Sequence, residues 1–237
     1  MPPVHAQDAP ASPAVIRLNG VELHPDPAGV LVWPARRTLV VADLHLEKGS
    51  ACTRRGAGTL PPHDSTATLE SLAAALDRHR PETVICLGDS FHDPDAAERL
   101  DDADAERLRS LTARAHWVWI AGNHDPDPTP AFGGTVRREL HEGGLVFRHI
   151  ARPDAHPAGE VSGHYHPKAK VRLRGRTVRR PCFVHDGRRL VLPAFGAYTG
   201  GLNVHDPAFH AVFTGGFHAH VLGSATVYAF PGTRLSP

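Results

Sequence analysis

Two regimes of hydrophobic patterning divide the chain. In the first, short apolar runs alternate with longer amphipathic segments. Thr38 to Ala42, TVICL at Thr83 to Leu87 and HWVWIA at His116 to Ala121 are continuous apolar runs bounded by polar or turn residues, the pattern of buried strands. Between them, Thr66 to Arg80 carries apolar residues at helical spacing and is stopped by Pro81. Asp95 to Ala113 is acidic at its start and arginine-rich toward its end, as a helix dipole favours, and is expected to be one helix. Three strands with a helix between each predict right-handed βαβ crossovers and a parallel sheet. Ahead of them, Val15 to Leu23 reads as a hairpin turning at Asn19-Gly20, and a second turn follows at Pro25 to Gly29.

The second regime is β-rich. Thr135 to Leu140, Gly144 to Ile150, Glu160 to Gly163, Arg172 to Val178, Cys182 to His185 and Arg189 to Pro193 are short strand candidates separated by Gly turns. Ala208 to Thr214 and Ala225 to Phe230 are expected to add two more. The fold class is therefore α/β, with two sheets in one domain. The length of 237 residues suits one domain over residues 14–237. Residues 1–13, rich in Pro and Ala and without a basic or apolar leader pattern, are expected to be a disordered tail. The segment from Leu46 to Pro62, rich in Gly, Thr and Arg, is expected to be a long loop.

Charge narrows the partners. The net charge of +1 offers no basic field that demands nucleic acid. No apolar segment approaches the roughly 18 residues needed to span a bilayer, so the expectation is a soluble, cytoplasmic protein without a membrane partner. Three cysteines at unrelated spacings argue against both a disulfide framework and a thiolate metal site. The 18 histidines raise the expectation of metal chemistry.

The candidate chemistry sits where the apolar runs stop. Asp43-Leu44-His45 closes the first run, Gly88-Asp89 the second and Gly122-Asn123-His124-Asp125 the third. Residues two apart on an extended segment project to one side, so Asp43 and His45 are expected to act together. In the β-rich half, His149 ends an apolar run, in preference to His141, and His164 and His166 repeat the two-residue spacing. Carboxylates, an amide oxygen and imidazoles in this number suffice for two divalent metals.

The order Asp43-x-His45, Gly88-Asp89, Gly122-Asn123-His124-Asp125, His149, Gly163-His164-x-His166 resembles the calcineurin-like metallophosphoesterases. More narrowly, DLHLEKG, the LPP at Leu60 to Pro62, GDSFHD and LPAFGAYTGGLN are similar to the bacterial DNA-ligase-associated metallophosphoesterases. The resemblance implies a four-layer αββα sandwich of two mixed sheets flanked by helices. It implies that Asp43, His45 and His166 hold one metal, that Asn123, His149 and His164 hold a second, and that Asp89 bridges them. Mn²⁺ is the metal it favours, with Fe, Zn, Ni or Mg as alternatives. His124 would act on the leaving group or the phosphate without ligating metal. The chemistry is that of two cations about 3.5–4 Å apart, which polarise a phosphoester and activate a water.

This sequence departs from the family at one point. Where the phosphatase branch carries an Asp that orients the His of the Gly-Asn-His motif, the residue here is His92, which leaves Asp93, Asp125 or no carboxylate beside His124. Arg54, Arg55 and His92 are candidate substrate contacts. The expected activity is phosphodiester hydrolysis linked to DNA repair, with a ligase, a helicase and a nuclease-like protein as partners. A nuclease acting on DNA ends, prompted by the resemblance to ligase-associated proteins and by the basic run Lys168 to Arg180, and a metal-binding scaffold subunit of a repair complex are the alternatives.

Overall fold

In a computed structural model of the protein, residues 14–54, 56, 63–127, 130–153, 159–173 and 176–237 are described. The tail at 1–13, the LPP motif and Arg55 lie outside them. In chain order the strands are β1 (Ile16–Leu18), β2 (Val21–Pro25), β3 (Leu31–Trp33), β4 (Thr38–Val41), β5 (Thr83–Cys86), β6 (His116–Ile120), β7 (Thr135–Arg137), β8 (Glu139–Glu142), β9 (Leu145–Arg148), β10 (Glu160–Ser162), β11 (Lys168–Leu173), β12 (Arg176–His185), β13 (Arg189–Val191), β14 (His218–Leu222) and β15 (Val227–Pro231). The helices are α1 (Lys48–Arg54), α2 (Asp64–His79), α3 (Ala96–Arg99), α4 (Asp102–Thr112) and α5 (Pro207–Val212).

The strands form two mixed sheets, one in the order β1-β2-β3-β4-β5-β6-β7 and the other β15-β14-β12-β13-β10-β9-β8, with β11 paired to β12. β4 to β7 are parallel, as the crossovers predict, and β9, β10 and β13 are parallel in the second sheet. The pleat of the central strands separates the layers. Leu39 and Val41 of β4 join α2 and α4 in one core, whereas Val40 and Ala42 join Ile85, Phe147, Val161 and Phe183 in the core between the sheets. A third core, built by Val184, Val191 and Ala219, packs the far face of the second sheet on Phe209 and Val212 of α5. The layers are helix, sheet, sheet, helix.

Four local expectations are corrected. Asp95 to Ala113 is two helices, because Leu100 is extended and buried in the core, and Asp101 then caps α4 by accepting the Asp104 N–H at 2.8 Å. The loop after His45 contains α1, whose only buried residue is Ala51, so no apolar stripe announced it. Ala208 to Thr214 is not a strand: Asp206 caps a helix with Pro207 in its first turn. The Arg172 to Val178 candidate spans the end of β11 and the start of β12, which pair antiparallel. No helix among the described residues is long and apolar enough to cross a membrane.

Candidate metal centre

The carboxyl ends of β4, β5 and β6 meet those of β9 and β10, the position where parallel sheets gather ligands. The main chain ties the strand ends together. Asp43 N–H donates to Gly88 O, His45 N–H to Asp89 O, and Gly163 N–H to His149 O. From the other sheet, Phe195 N–H donates to Ala42 O and Gly196 N–H to Asp43 O.

The spacing Asp43-x-His45 does not act through an extended strand. Asp43, His45 and Glu47 have φ of 55°, 46° and 65°, and His164 and His166 have 72° and 46°. Alternate left-handed residues coil the chain just past β4 and β10, and the paired side chains converge by that route. Such conformations cost about 1–3 kcal/mol each in non-glycine residues and persist where the surroundings over-determine them.

Two trios of donors result, Asp43, His45 and His166 in one and Asp89, His149 and His164 in the other, each with its donor atoms within 4.8 Å of one another. Asp89 lies between them, with Oδ1 3.3 Å from His149 Nε2 and Oδ2 4.0 Å from His45 Nε2. Asn123 Oδ1 is 2.9 Å from His149 Nε2. Asp43 is fully buried and receives the His164 backbone N–H at 2.9 Å. His149 donates Nδ1–H to Leu87 O at 2.8 Å, which turns its Nε2 toward Asp89, Asn123 and His164. Carbonyl-anchored tautomers of this kind suit metal ligation.

The electrostatics fit cations. Burial, with His166 adding to it, holds His45 far below the usual imidazole range, and burial with His149 lowers His164, so both present neutral donors. Burial would raise Asp89, but the His149 hydrogen bond and charge outweigh it and keep the carboxyl ionised. Burial alone would lower His149, yet the Asp89 hydrogen bond and the Asp43 charge raise it. Buried carboxylates, an amide oxygen and imidazoles, two of them held neutral, form a donor set that fits divalent metal.

Around this centre the expected helpers fall differently. His124 donates its backbone N–H to Asp89 Oδ1, and its Nδ1 lies 2.8 Å from His92 O. Neither candidate carboxylate orients it. Asp93 is held bidentately by Arg99 at 2.7 and 2.8 Å. Asp125 is buried, accepts from Ser90, Phe91 and Gly122 N–H, and staples the β5 and β6 loops; burial and the Asp89 charge push it up to about 7. His92 stacks on His124 with ring centroids 5.0 Å apart, and its Nδ1 is 3.3 Å from His45 Nδ1. Arg54 is exposed at the end of α1 and has no hydrogen bond or ion pair to a site residue among the described residues. His141 is on β8, 2.8 Å from Glu139, outside the centre. His220 on β14 is buried, 3.1 Å from His185 and away from the centre. The carbonyls of Leu87 and His92 carry roles that no side-chain pattern could have signalled.

A family profile described as calcineurin-like phosphoesterase matches residues 36–194, which holds every one of these donors. The chain belongs to that family. This phosphoesterase is similar to a nuclease of Pseudomonas putida called MPE, at 27% identity over 92% of this chain and 100% of that one, with a TM-score of 0.69. It is also similar to Yfce, a phosphoesterase from E. coli, at 14% identity over 81% and 97% of the two chains, with a TM-score of 0.41. A search of curated proteins gave no match. The family and the two donor trios make the phosphoesterase a hydrolase of phosphoester bonds with two candidate metal sites.

Proposed function

We propose that this phosphoesterase is a dinuclear metal-dependent phosphodiesterase. The observation that carries it is Asp89, whose two oxygens face donors of both trios. Asp43, His45 and His166 would hold one ion and Asn123, His149 and His164 the other, with Asp89 placed to serve both. Mn²⁺ is the ion that mixed carboxylate, amide and imidazole donors and the family resemblance favour. Bound there, two such ions polarise the phosphate oxygens and lower the pKa of an attacking water.

The protein's own groups do the rest. Asp43, Asp89 and the imidazoles would hold the ions and, through them, set where a phosphate could sit. His124, with Nδ1–H on the His92 carbonyl, keeps Nε2 free to carry a proton to the leaving oxygen. The similarity to a nuclease supports a diester within nucleic acid over a free small diester. DLHLEKG, GDSFHD and LPAFGAYTGGLN support action beside a DNA ligase and helicase in repair. The test is hydrolysis of bis-p-nitrophenyl phosphate and of labelled DNA by Mn²⁺-reconstituted protein. Turnover that a chelator stops supports the proposal. Metal-independent turnover, or none with any divalent ion, contradicts it.

A further inference from the structure

The loop after β13 makes a second wall beside the centre. Gly196 is packed so tightly on the strand end that a Cβ there would sit 2.0 Å from Leu44 O, and its N–H is bonded to Asp43 O. The loop that follows, Ala197 to Gly201, therefore has a fixed position relative to the donors. Between it and His166 lies an open cavity of about 280 Å³, lined by Lys168, Phe195, Tyr198 and Thr199 among others.

Three features of that cavity are unexplained by hydrolysis alone. Tyr198 is half exposed in a left-handed conformation, φ 56°, which is unfavourable for a bulky residue. Its ring has no aromatic neighbour and its hydroxyl no hydrogen bond among the described residues. Second, Lys168 of the lining and Lys48, which reaches the same loop from α1 outside the lining, donate Nζ to its consecutive carbonyls, Thr199 O at 3.0 Å and Tyr198 O at 3.4 Å. An ammonium has three donors, so each retains capacity for an anion. Third, the chain has only three lysines against a large excess of arginine, and two of them are these. The remaining one, Lys170, reaches Pro237 O.

We infer that this cavity is a subsite for the nucleotide adjoining the scissile phosphodiester of single-stranded nucleic acid, with Tyr198 stacking on the base and Lys48 and Lys168 taking the flanking phosphate. This deepens the phosphodiesterase proposal and rests on it. An aromatic face accepts any base, whereas point-charge ammoniums follow the backbone, so the subsite is sequence-tolerant. It adjoins His166, which places the bound nucleotide one step from the donors of the first trio.

The experiment is fluorescence anisotropy with chelator-treated protein, where no turnover occurs, using a short single-stranded oligodeoxynucleotide and its abasic counterpart. The natural protein binds the base-bearing strand about 5- to 150-fold tighter, the range for one stacked base. Tyr198→Ala removes that preference and Tyr198→Phe keeps it. Lys48→Met with Lys168→Met weakens both strands alike and lowers the slope of log K against log salt by about 0.7, the value for one phosphate of a single strand, while Lys170→Met changes neither. A natural protein indifferent to bases, a preference that survives Tyr198→Ala, or lysine variants that bind as before would each overturn the subsite. Loss of preference in Tyr198→Phe as well would also overturn it, since a stacking face remains there. Failure of the metal-reconstituted protein to cleave any diester contradicts the hydrolase proposal separately, because the binding comparison does not depend on cleavage.

Discussion

His124 Nδ1 and the carbonyl oxygen of His92 lie 2.8 Å apart, and a carbonyl can only accept, so the ring proton is fixed on Nδ1. A backbone atom orients this histidine where a carboxylate was a candidate. Two variants should therefore behave differently. His124→Ala is expected to lower kcat on an aryl diester by about 10²–10⁴, with KM little changed. His92→Ala retains the carbonyl and should cost less than about tenfold. Equal losses in the two variants would show that the His92 side chain, not its backbone, is what His124 depends on.

Asp89 gives a second contrast, because it faces both trios. Asp89→Asn should reduce bound Mn²⁺ below two per chain, measured by elemental analysis. Turnover should fall on the order of a thousandfold, which corresponds to several kcal/mol of lost transition-state stabilisation. Full activity with one ion would contradict a bridging role.

Close approach of backbones at two glycines predicts a stability effect that separates from metal binding. A Cβ at Gly196 would meet Leu44 O at 2.0 Å, and one at Gly122 would meet Asp89 N and Oδ1 at 2.2 Å. Gly196→Ala should destabilise the metal-free protein by about 1–3 kcal/mol, which lowers Tm by several degrees in a chain of this size. Gly122→Ala should in addition displace Asp89 and weaken Mn²⁺ affinity. An unchanged Tm in Gly196→Ala would mean the loop after β13 is not held against the strand end.

Far from the centre, His185 and His220 set an acid limit on stability. Their Nε2 atoms are 3.1 Å apart, and burial, with neighbouring histidines adding to it, lowers both to about 4. An unfolded histidine takes up its proton near 6.5. Between about pH 6.5 and 4 the unfolded chain binds more protons than the folded one, so stability falls as pH falls through that window. At about 1.4 kcal/mol per tenfold difference in proton affinity, the loss from the pair reaches several kcal/mol. Denaturant melts at several pH values should show a shallower dependence in His185→Gln with His220→Gln. An identical slope would remove the pair as its cause.

What the sequence made legible follows from what periodicity can encode. The apolar runs at Thr38, Thr83 and His116 place β4, β5 and β6, and the change of spacing at Thr66 places α2 to within two residues. Asp43, His45 and Asp89, which end the first two runs, join His149, His164 and His166 of the β-rich half in the two trios. Helix α1 was hidden because a short helix burying one alanine has no stripe. Helix α5 was hidden because its alternating Ala, Phe and Val imitate a strand, although Asp206-Pro207 carried the capping signal. The left-handed geometry at Asp43 and His45 was not legible, because Asp and His, though enriched at positive φ, mostly adopt right-handed or extended backbone. The choice among Asp93, Asp125 and no carboxylate beside His124 stayed open for a related reason: the hydrogen bonds of Asp125 run to backbone N–H groups, which leave no trace in side-chain spacing.

Anomalous diffraction from crystals of the Mn²⁺-loaded protein is the most direct measurement of the two-ion account. It should show two peaks, one within bonding distance of Asp43, His45 and His166 and the other of Asn123, His149 and His164, with Asp89 touching both. A single peak, or a second ion bound away from Asp89, would contradict it.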